Sequence, residues 1–127
     1  MRVGARPYGV RMALMVEMVT FDSTDPHALA VWWARRLGGT VQGEPDAWFV
    51  VVTDVRGVQQ LGFQRVESPT PGKNRVHLDL QAPDVAAEVE RLVADGATLV
   101  ARHAEQGLSW TVLADPDGNQ FCVSQHA

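Results

Sequence analysis

The chain has 127 residues, of which 46% are apolar and 20% charged, with a net charge of −4; this suits a single domain with a real hydrophobic core. Its basic residues are scattered rather than striped, and Lys73 is the sole lysine, so no surface for tracking nucleic-acid phosphates is expected. No apolar run is long enough to span a bilayer, and the only cysteine, Cys122, excludes an internal disulfide and points to the cytoplasm.

The first dozen residues carry Arg2, Arg6 and Arg11 and no acid, like the start of a signal peptide. Glu17 breaks the apolar stretch that follows, so the signal reading is rejected. Residues 1–13 are expected to form a flexible N-terminal extension, with Met12 or Met15 equally suited as the true start, and residues 14–127 a single domain. An alternating strand then runs over 18–22. Asp25-Pro26 places an N-cap acid before a proline at the first helical position. Leu29, Trp32, Trp33 and Leu37 follow at helical spacing until Gly38-Gly39 ends the helix. Three strands are expected over 40–42, 48–54 and 58–66, the last two joined by the turn at 54–57.

Residues 67–74, with two prolines and a glycine, read as a linker, and then the pattern starts again. A strand over 77–81 precedes a helix capped by Asp84, carrying Val85, Val89, Leu92 and Val93 and stopped by Gly96. Strands over 98–103, 109–114 and 120–125 follow, with the turn Asp115-Pro116-Asp117-Gly118 before the last. A shift of 59 residues superposes Met18 on His77, Phe21 on Leu80 and Asp25 on Asp84, while the turns lie 61 residues apart, as small loop insertions would produce. The chain therefore reads as module one (14–66), a linker (67–74) and module two (75–126), each a βαβββ unit.

Side chains alternate along a strand, so each module presents two faces. Val19, Phe21, Leu61 and Phe63 point toward the helix of module one, as Leu78, Leu80, Phe121 and Val123 do in module two. The opposite face carries Met18, Thr20, Asp22, Gln60, Gly62 and Gln64 in one module and His77, Asp79, Gln81, Cys122 and Ser124 in the other. Mixed polar groups at the same repeat positions fit the lining of a cavity; the plainer alternative is an open sheet with one solvated face. The expected class is α+β, with two βαβββ modules forming a curled mixed sheet around a cleft.

Candidate ligand-binding residues on that inner face are Met18, Thr20, Gln60 and Gln64 from module one and His77, Asp79, Cys122 and Ser124 from module two. Trp48 and Trp110 are added as aromatic walls able to stack a flat ligand. His77 and Asp79, two apart on one strand, are the candidate catalytic pair, because a carboxylate beside an imidazole raises its pKa and fixes its tautomer; a structural hydrogen-bonding role is the alternative. Cys122 is either a buried strand residue or a nucleophile. His27 and His103 are expected at a helix end or in a loop, and Asp25, Asp54 and Asp115 as cap and turn residues.

The run from Asp25-Pro26 through Trp32-Trp33 to Leu37-Gly38, the ending Asp115-Pro116-Asp117-Gly118-Asn119, and the segments 61–66 and 73–79 resemble the glyoxalase, bleomycin-resistance and dioxygenase superfamily, also called vicinal oxygen chelate proteins. The segments 61–66 and 73–79 are more narrowly similar to its glyoxalase-like subfamily. The resemblance covers about residues 14 to 126 and implies the fold named above. It also implies metal positions on the first and last strands of each module, which fall here on Met18, Gly62, His77 and Cys122. Only His77 is a ligand of the usual type; Gly62 has no side chain, the Met18 thioether suits hard ions poorly, and a His–Cys pair leaves a tetrahedral site two ligands short. A one-residue slip could bring Glu17 to the cavity face only by moving Val19 and Phe21 into it. No metal and no cofactor is expected, which disfavours glyoxalase I and extradiol dioxygenase chemistry.

The expected function is metal-independent binding of a small organic molecule, of the drug-sequestering kind found in that superfamily. The alternatives are a lyase or isomerase using His77 and Asp79, and a module acting only through another protein. Because many relatives pair modules across a two-fold axis, the resemblance also implies a homodimer.

Overall fold

The computed structural model describes residues 18–72, 74, 77–105 and 107–125. The expected extension at 1–13 and Glu17 lie outside the described residues. Module one contains β1 (Val19–Ser23), α1 (Pro26–Leu37), β2 (Thr40–Gln42), β3 (Phe49–Thr53) and β4 (Leu61–Arg65). Module two contains β5 (Leu78–Gln81), α2 (Val85–Ala94), β6 (Thr98–Glu105), β7 (Leu108–Ala114) and β8 (Gln120–Ser124). The strand orders are β1-β4-β3-β2 and β5-β8-β7-β6, so the sequence repeat is a structural repeat. In each sheet the first and last strands of the module pair in parallel and the other pairs are antiparallel. The architecture is the expected α+β one, with the curled surface built as two mixed sheets of four strands.

Local chemistry sets the helix ends. The Asp25 carboxylate accepts from the Ala28 amide at 3.3 Å, and Pro26 opens the first turn, where its missing N–H costs nothing. Gly38 closes α1 in the left-handed region, with φ of 73°. Asp84 caps α2 in the same way, accepting from the Ala87 amide at 3.1 Å. Most strand limits lie within one or two residues of expectation, and the largest difference is at the start of β4. The strand expected to begin at 58 begins at Leu61, because the turn around Gly57, with φ of 92°, continues through 58–60.

The apolar faces behave as the pleat requires. Leu61, Phe63, Phe121 and Val123 are all buried, and Val19, Phe21, Leu78 and Leu80 pack on the core edge. Helix α1 sits where the apolar faces of both modules meet. The Trp33 ring lies 5.0 Å from Phe121 of module two and 5.7 Å from Phe21 of module one. Trp32 and Trp33 are both buried, and the Trp32 indole N–H donates to the Asp95 carbonyl at 2.8 Å. One shared core therefore joins the modules, and the polar faces of the two sheets lie away from it.

Candidate functional site

On the polar face of module two, β5 and β8 run in parallel with Asp79 directly opposite Cys122. Residues two apart on a strand share a face, so His77 stands beside Asp79. The His77 Nε2 lies 3.3 Å from Asp79 Oδ1, with both side chains open to solvent. Cys122 completes a trio: one ligating atom from each of His77, Asp79 and Cys122 lies within 4.8 Å of the others.

His77 and Cys122 border a hollow of about 350 Å³, within the usual range for small-molecule sites. Val100, Ala101 and Val112 supply an apolar floor, and His77, Gln120 and Cys122 a polar edge. Its aromatic shelf is the Trp110 indole with the His103 ring stacked on it, centroids 5.1 Å apart and 23° from parallel. His103, which the expected strand over 98–103 ends on, lies inside the longer β6 and pairs with Trp110. A register shift between Leu99 and Ala101 lets neighbouring residues Val100 and Ala101 both line this hollow.

The expected residues of module one lie elsewhere. Met18 and Gln60 line a separate hollow of about 420 Å³, together with Val19 and residues 57–59. Thr20 lines a groove of about 620 Å³ at the junction of the modules, where the rings of Phe21, Trp33 and Phe121 meet the linker and the 117–119 turn. His77 stands at the edge of this groove as well. Gln64 lies opposite Phe49, and Ser124 opposite Trp110, both partly buried. Trp48 precedes β3, is 66% exposed, packs at a tilt against Phe49 and lines none of these three hollows.

A four-ligand metal site of the superfamily kind does not fit these residues. A Cβ on Gly62 would lie 2.5 Å from Met18 Sδ and 2.9 Å from Phe49 Cζ, so other side chains fill the space a ligand there would need. Met18 and Cys122 line different hollows. The parallel register sets Phe21 opposite Phe63, and Val19 and Phe21 pack against the core.

Asp115, read from sequence as a turn residue, has a second role. It is 3% exposed, and its carboxylate accepts from the Trp33 indole at 3.0 Å, from the Asn119 side chain and from the amides of Asp117 and Asn119. Burial pushes this carboxyl above its ordinary value of 3.8, and the donors from Asn119, Trp33 and Asp117 oppose that rise. Nearby, the Ser23 hydroxyl donates to Asp117 at 2.6 Å, a second tie between modules.

Two tandem βαβββ modules with open polar sheet faces define the class of fold found in glyoxalases, bleomycin-resistance proteins and related dioxygenases. The chain belongs to the family of the glyoxalase-like domain, whose model matches residues 18–124. Solved structures share the fold at low identity. A glyoxalase/bleomycin resistance protein/dioxygenase family enzyme from Burkholderia phytofirmans PsJN is 22% identical, covering 86% of this chain and 96% of that one, with a TM-score of 0.71. A lactoylglutathione lyase from Agrobacterium tumefaciens is 17% identical over 87% of this chain and 92% of its own, at 0.62. A bleomycin resistance determinant encoded on the transposon Tn5 is 20% identical over 89% and 98%, at 0.61. A search of the curated proteins gives no match.

Proposed function

We propose that the protein binds a small, flat organic molecule in the hollow on the outer face of module two, without the four-ligand metal site of its metal-using relatives. The observation that carries this reading is the Trp110–His103 shelf set over an apolar floor, with His77 and Cys122 at one edge. Aromatic faces supply contact area at small entropic cost, and a few polar groups fix orientation. The similarity to a bleomycin resistance determinant agrees with sequestration of such a compound. The single cysteine supports a cytoplasmic setting, and no helix among the described residues is long and apolar enough to cross a membrane.

A second copy completes the cleft in this reading. Within the chain the polar faces line separate hollows, and β1 and β5 are both edge strands with one side unpaired in their sheets. Pairing across a two-fold axis would set module one of one protomer against module two of its partner.

A lyase or isomerase activity is the second reading, favoured by the 3.3 Å approach of His77 to Asp79. A thermal-shift screen of flat aromatic compounds, run with chelator present, tests binding. Stabilisation that survives the chelator and is lost in Trp110→Ala is expected; equal stabilisation of both proteins contradicts the shelf. With a hit in hand, His77→Ala separates the readings: a binder loses only affinity, whereas an enzyme keeps affinity and loses turnover.

A further inference from the structure

We infer that His77, Asp79 and Cys122 form a three-ligand site for a zinc-class divalent ion, contained within module two. His77 and Cys122 hold two of the four strand positions named above, while Met18 and Gly62 contribute no comparable ligand. Asp79, expected from sequence as a ligand-binding and acid/base residue and not at a metal position, takes the third place from the same sheet face.

The backbone does most of the positioning. The pleat sets His77 beside Asp79, and the parallel β5–β8 register sets Asp79 across from Cys122. Two of the donor atoms already lie 3.3 Å apart, and all three fall within 4.8 Å of one another. A tetrahedral ion with bonds of about 2.0–2.3 Å needs its ligands roughly 3.3–3.8 Å apart. Side-chain rotations of about 1 Å close that difference without moving a strand.

The donor types decide which ion. Imidazole, carboxylate and thiolate together match zinc and cobalt, whereas magnesium and calcium demand oxygen ligands in greater number. Three protein ligands leave a fourth position for water. The inference stands on these three side chains and does not rest on the ligand-binding reading, because the Trp110 shelf needs no ion.

The test uses the full-length chain stripped of metal and titrated with cobalt(II), with variant folding checked by circular dichroism. Expected are one ion per chain, the visible bands of tetrahedral cobalt and a thiolate charge-transfer band, all displaced by zinc and untouched by magnesium. Cys122→Ser removes the charge-transfer band. Asp79→Asn and His77→Ala weaken binding by more than about tenfold, a loss seen even for an outer-shell partner. An aqua-type octahedral spectrum, or a tetrahedral one unchanged in all three variants, overturns the inference. Alkylation of Cys122 gives an independent readout: zinc slows it in the wild type, and a rate indifferent to zinc also overturns the assignment.

Discussion

Asp115 joins the modules through single atoms. Its carboxylate holds the Trp33 indole of module one and closes the 115–119 turn of module two. Asp115→Ala leaves those buried donors without an acceptor and is expected to cost about 3 kcal/mol in urea unfolding; a loss within error of zero would show that water replaces the carboxylate. The pH dependence follows from the raised pKa. The folded chain binds the proton more tightly than the unfolded chain, so this group favours the fold below 3.8 and that contribution is lost as pH rises through the elevated value. Asp115→Asn does not titrate, so its stability should gain on wild type as pH climbs through that window. A difference constant with pH contradicts the assignment. That Asp115 sits in a turn was legible from the Asp-Pro-Asp-Gly run; that it reaches Trp33, 82 residues away, was not, because local sequence carries no record of a long-range contact.

At the level of elements, the caps explain why both helices start where they do. Asp25→Ala and Asp84→Ala should each lower stability by about 1 kcal/mol, seen as a shift of the urea midpoint with unchanged slope. An unchanged midpoint would mean that the side-chain acceptances at Ala28 and Ala87 are dispensable. Helix limits were readable because Asp, Pro and Gly act within one turn. Strand faces were readable because alternation is strict, as the burial of Phe63 and Phe121 bears out. The start of β4 and the shelf partner His103 were not. The former depends on how far a glycine turn runs on, and the latter on a register shift that places β6 against β7. The surroundings of Trp48 were not readable for a related reason: an aromatic residue at a strand edge looks the same in sequence whether it walls a hollow or meets solvent.

On the scale of the whole molecule, the internal repeat made the two-module architecture legible. How the modules pack depends on α1, whose tryptophans bridge both apolar faces and leave the polar faces directed away from the core. A shared inner wall within one chain was the sequence expectation; the chain instead divides that lining among separate hollows, which is why a second copy enters the proposal. Light scattering behind size exclusion should give twice the chain mass of 13.9 kDa, and a monomer at micromolar concentration contradicts the paired arrangement. The position of a bound ligand decides between the hollows. Amide chemical shifts of the labelled protein, followed during titration with a hit from the aromatic screen, locate it directly. Perturbations centred on Val100, His103, Trp110 and Cys122 are predicted; perturbations confined to module one or to the junction groove would contradict the assignment of module two as the binding wall.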